Sequence, residues 1–389
     1  MSRFREDLGY TEAYVAHRLD VGVEDLRAIE TGRTDPDSRA LSVFSDLYGI
    51  ELERLWTQDV EQSDSETLRL LFLRKQGPAL AGRTRAAIAR ASLIARQFVE
   101  LGGLLGAPSS YARLRESYRH EGEYQGLGQP WEIGEELGLR LRGDLELGRE
   151  PVRSIRQLAE GQLGVLIISA NIRSSDVAAC SFSNERTGPV VVLNTAGENS
   201  RPWRWRFTVA HEICHLLFDE LSQTELGSIT GYQDQEEDAA ADAVEKRANS
   251  FAISLLAPKE ALRAQLSGMQ SMGLSGQVRA LMEMWGINFK AARLRMLHMG
   301  WASVQELEEL SGVETMESEE WLTAEADLLD TFFPCPSVPE ERRGAFARRV
   351  VRAYAAGAVS RNRLVSLLEA SPDDALDQLV SLVAELDRE

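Results

Sequence analysis

The chain lacks the features of a membrane or secreted protein. It has no run of about 18 apolar residues, and its N-terminus, M-S-R-F-R-E-D, carries no apolar signal segment. The three cysteines, Cys180, Cys214 and Cys335, are too scattered for a disulfide framework, so we expect free thiols in a reducing compartment. These absences predict a soluble, cytoplasmic protein without a membrane partner.

Net positive charge is missing as well, because 61 acidic residues outnumber 43 lysines and arginines and give a formal charge of −18. This balance argues against a protein that wraps nucleic acid over much of its surface, since phosphate contacts require clustered lysine and arginine. It leaves room for one small DNA-reading module. The apolar fraction of 43% is ordinary and provides for packed cores in roughly two to four domains.

One segment, Phe207 to Glu220, reads F-T-V-A-H-E-I-C-H-L-L-F-D-E and predicts a helix with two histidines on one face. His211 and His215 lie four residues apart, about one helical turn, and Glu212 follows His211. The spacing suits a zinc ion held by two imidazoles, with a carboxylate near a metal-bound water whose pKa zinc lowers to roughly 7. Glu212 could take the proton of that water and pass it to a leaving amine. The alternative is a coincidental motif on an amphipathic helix.

A third metal ligand must come from elsewhere in the chain. The longer motif with a third histidine is absent, because Phe218 and Leu221 stand where it would be, and the remaining histidines lie in other regions. An acidic ligand from a downstream helix fits better. The candidates lie beside the apolar stripe of a helix predicted from about residue 234 to 256: Asp238, Asp242, Glu245 and Asn249.

Two blocks in this part of the chain, R-W-R-F-T-V-A-H-E-I-C-H-L-L and E-K-R-A-N-S-F-A-I-S-L-L-A-P, resemble the ImmA/IrrE family of zinc metallo-endopeptidases in sequence, order and spacing. The resemblance implies that His211 and His215 are zinc ligands and that Glu212 is the general base. It further implies that Glu245 is the third ligand and that Asn249, one turn further on, orients a ligand.

The resemblance covers residues 131–302 and implies one bound Zn²⁺ ion and a protein substrate. Such a substrate would be a transcriptional repressor or antitoxin, cut in a stress, mobile-element or toxin–antitoxin response. A departure from the family is Cys214, where glycine is common, and we predict a packed small residue there. The implied fold is mostly α, with a small α+β zincin-like metallopeptidase core between helical N-terminal and C-terminal regions.

Breaks in composition divide the chain into five regions. They are a helix-turn-helix at 1–60, a helical connector at 61–130, the metallopeptidase core at 131–262, a second helix-turn-helix-like element at 263–302 and a helical C-terminal domain at 303–389. In the core, Val190–Leu193 is predicted to be an edge strand that pairs with an extended peptide, although its pairing could also be wholly internal. In the second element, Arg293, Arg295 and His298 could contact DNA, but a solvated face is the simpler interpretation.

The N-terminal region, T-E-A-Y-V-A-H-R-L-D-V-G-V-E-D-L-R-A-I-E-T-G-R-T-D-P, resembles the Cro/repressor-like (XRE) DNA-binding family. This resemblance implies a DNA reader with Arg27 and Arg33 as contacts. Against it, Glu24 and Asp25 begin the second helix, and residues 1–60 hold thirteen acidic residues, seven arginines and no lysine. Carboxylates that face phosphates repel them. The alternatives are a module for homodimerisation or protein contact, and a DNA-binding regulator or antitoxin whose zinc site is structural or vestigial.

Overall fold

Helices dominate the structure and surround one four-stranded sheet, which confirms the predicted mostly α fold with a small α+β core. The computed structural model describes residues 1–57, 81–107, 116, 118, 128–172, 177–196, 199, 202–219, 226–231, 239–310, 319–325, 329, 333–371 and 373–388. Within these residues, no helix is both long and apolar enough to cross a membrane. A further helix that the apolar spacing predicts at 65–75 lies outside the described residues.

Short helices form the N-terminal region, where the sequence predicts them. They are α1 (Ser2–Asp7), α2 (Glu12–Leu19), α3 (Val23–Glu30), α4 (Ser38–Tyr48) and α5 (Leu52–Thr57). The Thr11 side chain caps α2 by accepting a hydrogen bond from the backbone N–H of Tyr14. The assignment of this region to the repressor-like family stays a prediction.

A long helix, α6 (Gly82–Leu104), joins the N-terminal helices to the rest of the molecule. Gly49 ends α4 in the left-handed conformation, with φ of 63°, and packs against the backbone of α6. A Cβ atom at Gly49 would lie 2.2 Å from the carbonyl oxygen of Ala89. The Arg96 guanidinium of α6 donates a hydrogen bond to the carbonyl of Gly49. Only glycine therefore permits this close approach of the two helices.

The sheet contains β1 (Leu166–Ala170), β2 (Val177–Asn184), β3 (Gly188–Asn194) and β4 (Leu226–Gly231) in the order β1-β3-β2-β4. β3 pairs in parallel with β1 and antiparallel with β2, and β2 pairs antiparallel with β4. The prediction of Val190–Leu193 as an edge strand is therefore wrong, because both sides of β3 are occupied. The edge on the other side of β2 belongs to β4.

The remaining helices follow in chain order. Before the sheet come α7 (Pro130–Asp144) and α8 (Ile155–Gln157), which continues as a π-helical turn over Leu158–Leu163. After β3 come α9 (Pro202–Phe218), then beyond β4 α10 (Ala239–Leu256), α11 (Lys259–Gly268), α12 (Leu274–Trp285), α13 (Phe289–His298), α14 (Val304–Glu308) and α15 (Glu319–Glu325). A 3₁₀ turn at Glu340–Arg342 precedes α16 (Gly344–Ala355), α17 (Arg361–Leu368) and α18 (Leu376–Leu386).

Two hydrophobic cores lie on the two faces of the sheet. In β3, Val191 and Leu193 face the first core, which contains residues of α7 to α13, whereas Val190 and Val192 face the second. This alternation is the two-residue period of a strand that is buried on both faces. The second core joins the N-terminal helices, α6 and the C-terminal helices α16 to α18. The sheet thus separates two sets of helices.

The second helix-turn-helix-like element is part of the first core. Trp285 of α12 and Met296 of α13 are fully buried there. Arg295, for which the sequence allows DNA contact but favours a solvated face, is buried instead; it donates a hydrogen bond to the carbonyl of Ala257 and forms an ion pair with Glu135. A buried, paired guanidinium neither faces solvent nor reaches DNA phosphates, so both interpretations are wrong for Arg295.

Candidate metal centre

Helix α9 carries both predicted histidines and lies against the sheet with most of its surface buried. Its first residue is Pro202, and proline is favoured in the first turn because its missing N–H has no helical partner there. Val209, Ile213 and Leu217 lie in the first core, on the side of the helix opposite the histidines. Packing of this opposite side fixes the rotation of α9 about its axis.

The side chains of His211 and His215 lie against each other on α9. Their ring centroids are 4.7 Å apart, and their Nε2 atoms are 2.9 Å apart. Both residues are almost fully buried. Because the two histidines are one helical turn apart in the sequence, their Nε2 atoms face the same point.

Glu245 brings a carboxylate to the same point from α10. Its Oε2 lies 3.1 Å from Nε2 of His211, and its Oε1 lies 3.6 Å from Nε2 of His215. The donor atoms of these three residues all lie within 4.8 Å of one another. Tetrahedral coordination with bonds of about 2.0–2.1 Å separates neighbouring ligand atoms by roughly 3.3 Å. The observed separations lie around that value, so the three residues could hold a metal ion.

Each histidine also has an oxygen partner on its other ring nitrogen. Nδ1 of His211 lies 3.1 Å from Oδ1 of Asn249, and Nδ1 of His215 lies 2.6 Å from Oδ2 of Asp219. The second carboxylate oxygen of Asp219 accepts a close hydrogen bond from Arg247. An oxygen acceptor at Nδ1 favours the tautomer with its proton there, which leaves the lone pair of Nε2 for a metal.

Carboxylates around the histidines favour a bound cation. Burial lowers the pKa of His215, but the charge and hydrogen bond of Asp219, with the charges of Glu212 and Glu245, raise it to about 9. Burial acts to raise the pKa of Glu245, but the hydrogen bond and charge of His211, with the charge of His215, bring it below its usual value. The same carboxylates would also favour a metal cation at Nε2.

Glu212 is fully buried beside the cluster and reaches the sheet. Its Oε2 accepts a hydrogen bond of 2.5 Å from the hydroxyl of Ser181 on β2, whereas its Oε1 is buried and has no hydrogen-bond partner among the described residues. Oε2 of Glu245 is also buried, and Nε2 of His211 lies 3.1 Å from it. Buried carboxylate oxygens without a donor are costly, and a nearby metal ion and its water would remove that cost. The donor set therefore fits a metal site.

The structure brings together all five residues that the peptidase resemblance implies, including Asn249 at the side of His211. It adds residues that the sequence reasoning missed: Asp219, Arg247 and Ser181. Asp219 had a signal, because it lies four residues after His215 and thus one turn further along the same face. No such sequence signal marked Ser181, because β2 was not predicted from the sequence. Cys214 is buried in the first core, as predicted.

The two predicted DNA contacts lie in the N-terminal region, outside this cluster. Nη2 of Arg27 is 2.8 Å from Oε2 of Glu12, and Nη1 is 2.7 Å from Oε1 of Glu24. Nε of Arg33 donates a hydrogen bond to the hydroxyl of Thr31. The guanidinium of Arg27 is therefore already held between two carboxylates of the same region.

Comparison with known protein families gives one match. Residues 160–297 match the peptidase M78 family model, described as the IrrE N-terminal-like domain. No curated protein matches the chain. The matched range runs from the π-helical turn through the sheet and α9 to α13, and it contains His211, Glu212, His215 and Glu245. The match to this peptidase family supports a metallopeptidase function for the domain that contains the cluster.

Proposed function

We propose that this chain is a zinc-dependent endopeptidase. The observation that carries the proposal is the convergence of the Nε2 atoms of His211 and His215 with the carboxylate of Glu245, each histidine having an oxygen at Nδ1. Two imidazoles and one carboxylate are a donor set of catalytic zinc sites, in which a fourth position stays open for water or substrate. A zinc ion bound there would polarise the scissile carbonyl and make the attacking water more acidic.

Glu212 is the proposed general base. The hydroxyl of Ser181 holds its Oε2 in place, so the carboxylate has one fixed orientation. No described residue donates a hydrogen bond to its Oε1, which can accept a proton from the attacking water. The same atom can then donate this proton to the amine of the departing peptide. The fully buried position of Glu212 limits competing contact with bulk water.

Strand β4 is the proposed backbone partner of the substrate. It is an edge of the four-stranded sheet, and it pairs with β2, which carries Ser181. An extended peptide that pairs with β4 would lie close to α9, because α9 packs against β2, β3 and β4. Pairing with an edge strand holds a peptide through its backbone groups. An endopeptidase generally requires its substrate to be held in this way. This role replaces the one that the sequence suggested for β3.

Glu212→Gln tests the mechanism. We expect one zinc ion per chain in both the wild type and the variant by elemental analysis, because Glu212 is not a proposed ligand. Loss of the general base should lower the rate of cleavage by at least about 100-fold. Glu283→Gln, which changes an exposed glutamate of α12, is the matched control and should cleave normally. Cleavage by the Glu212→Gln protein at the wild-type rate would reject the mechanism.

The proposed substrate is a regulatory protein such as a transcriptional repressor or antitoxin. Support comes from the resemblance of the two motif blocks to the ImmA/IrrE family and of residues 1–60 to repressor-like domains. Mass spectrometry of cells that express the wild type or the Glu212→Gln form identifies proteins that are lost only with the wild type. Loss of the same set of proteins with both forms would contradict proteolysis by this site.

A DNA-binding function has less support than the peptidase function. Arg27, the main candidate contact, forms ion pairs with Glu12 and Glu24, and the other charges of this region are mostly negative. The N-terminal helices instead contribute Leu8, Val15 and Phe44 to the second core, beneath the sheet. We propose that they support the peptidase domain and contact partner proteins.

A further inference from the structure

A cavity of about 370 Å³ opens beside the metal centre. His211 and Asn249 line it, so one wall is formed by a proposed metal ligand and the residue that holds it. The other walls come from the first half of α9, from α10 and from α13. Its size is within the range of pockets that enclose small ligands or side chains. Whatever occupies it lies next to the bond that the site would cleave.

Apolar side chains form part of this cavity. Phe207 comes from α9, Ile253 from α10 and Leu294 from α13. The exposed side chain of Trp131, at the start of α7, also lines it. Such walls favour a bulky apolar side chain, because its burial removes apolar surface from water.

Among the described residues that line the cavity, those with a formal charge are all basic. They are Arg204, Lys246 and Lys290, and no described aspartate or glutamate lines it. His298 lines it as well, and burial with the charge of Lys259 lowers its pKa. Lys290 and Lys246 are exposed, and no described carboxylate forms an ion pair with Lys290. The chain as a whole has a formal charge of −18. A basic cavity in so acidic a protein gives electrostatic complementarity to an anionic occupant.

We infer that this cavity selects substrates that place a bulky apolar residue and a neighbouring aspartate or glutamate beside the cleaved bond. The inference rests on the proposed endopeptidase function and adds the substrate class. The apolar side chain packs against Phe207, Ile253 and Leu294, and the carboxylate lies near Lys290 and Lys246. A substrate with lysine or arginine at the acidic position is disfavoured, because like charges then meet at the cavity.

Two measurements with one probe test the inference. The probe is a randomised dodecapeptide library with blocked ends. In the first measurement, zinc-loaded wild-type protein cleaves the library, and mass spectrometry determines the residues around each new terminus. In the second, immobilised Glu212→Gln protein captures peptides without cleaving them, and the captured sequences are compared with the starting library. The binding measurement does not depend on catalysis.

We expect acidic residues to exceed lysine by about fivefold at one position, next to a position enriched in large apolar residues. In the background of Glu212→Gln, the additional change Lys290→Glu should reduce this ratio to about one or below, and high salt should weaken it. Arg263→Glu makes the same change in charge at an exposed residue of α11 that does not line the cavity, and it should leave the ratio unchanged.

The outcomes separate the inference from the proposed function. Cleavage without any acidic preference keeps the endopeptidase and overturns the inference. Acid-selective capture with no cleavage by the wild type keeps the inference as a statement about binding and rejects the endopeptidase. A preference that survives Lys290→Glu combined with Lys246→Glu also overturns the inference, because the carboxylate would then be recognised elsewhere.

Discussion

One hydrogen bond at each Nδ1 atom fixes the orientation of the two histidines of α9. Asn249 and Asp219 each lie at one Nδ1 atom, so both Nε2 atoms face the carboxylate of Glu245. The two oxygens differ in charge, because Asn249 is neutral and Asp219 is a carboxylate held by Arg247. His215 therefore has the stronger partner, and its interaction with the metal should depend most on the residue behind it.

Asp219→Asn tests that dependence. The asparagine keeps an oxygen near Nδ1 of His215 but removes the charge, so we expect zinc to bind about 10–100-fold more weakly. Competition with a coloured chelator measures the affinity. Asp377→Asn is the control, because Asp377 is an exposed residue that pairs with Arg361 outside the site. Equal zinc affinities of the wild type and the Asp219→Asn protein would show that Asp219 does not orient this ligand.

The secondary-structure elements position these residues, and one buried arginine fixes the start of α9. Arg206 donates hydrogen bonds to the carbonyls of Gly286 and Val152 and forms an ion pair with Glu325 on α15. Glu325 also accepts a hydrogen bond from the backbone N–H of Ile155. These contacts connect the beginning of α9 to α8, to the end of α12 and to α15, five residues before the first histidine.

Arg206→Met should destabilise the fold strongly, because it leaves Glu325 buried without its cation. Both side chains are 0–1% exposed, and removing one partner of a buried pair costs about 3–5 kcal/mol. Urea unfolding followed by circular dichroism measures the change. The double variant Arg206→Met with Glu325→Gln should recover part of the loss, since no unpaired charge remains. A loss below about 1 kcal/mol in the single variant would contradict this account.

The helices were more predictable from sequence than the sheet was. The apolar period and flanking glycines or prolines indicate α6, α7 and α10, whereas β2 and β4 escape because neither has the uninterrupted run of valine, isoleucine and leucine that marks β1 and β3. In β2, Cys180 and Phe182 alternate with Ser181 and Ser183 at the two-residue period of a strand, but the alternation is only four residues long and contains no β-branched side chain, so the signal is weak. The metal-binding motif could be predicted from the sequence because its histidines have the spacing of one helical turn. Ser181 and Arg206 were not assigned roles because theirs depend on distant partners.

The charges of the N-terminal helices lead to a prediction about DNA binding. We expect the full chain to bind a labelled operator-like duplex more weakly than about 10⁻⁴ M at physiological salt, because acidic residues outnumber arginines in residues 1–60 and Arg27 is paired with Glu12 and Glu24. Fluorescence anisotropy over a salt series measures this. The double variant Glu12→Gln with Glu24→Gln frees Arg27 and serves as the comparison. Tight, salt-sensitive binding by the wild type that Arg27→Ala abolishes would contradict the prediction.

At the scale of the whole molecule, the sheet is shared by two cores. The first core contains the metal centre, and the second joins residues from both ends of the chain. Arg90 of α6 links these ends, because it forms ion pairs with Asp46 from the N-terminal region and with Glu341 and Glu369 from the C-terminal region. Cys335 is also buried in the second core, where burial and the charge of Asp374 raise its pKa to about 11. Its thiol is therefore protonated near neutral pH and is not among the residues that meet at the metal centre.

Arg90→Met tests whether the two cores unfold together. Methionine keeps an apolar stem but leaves three carboxylates without their shared cation. These carboxylates are 22–45% exposed, so we expect a loss of only about 1–2 kcal/mol. Three buried tryptophans, Trp203, Trp285 and Trp321, belong to the first core, so tryptophan fluorescence mainly reports on the side opposite the substitution.

If the shared sheet couples the cores, Arg90→Met lowers the urea midpoint measured by tryptophan fluorescence as much as the midpoint measured by circular dichroism. Arg361→Met removes an exposed pair with Asp377, in which the two side chains are 51% and 82% exposed, and should shift neither midpoint measurably. A shift in circular dichroism alone would mean that the second core unfolds separately and that the N-terminal helices can detach while the metal centre stays folded. Coincident shifts would mean that a partner that binds the N-terminal helices acts on the stability of the peptidase domain through the sheet.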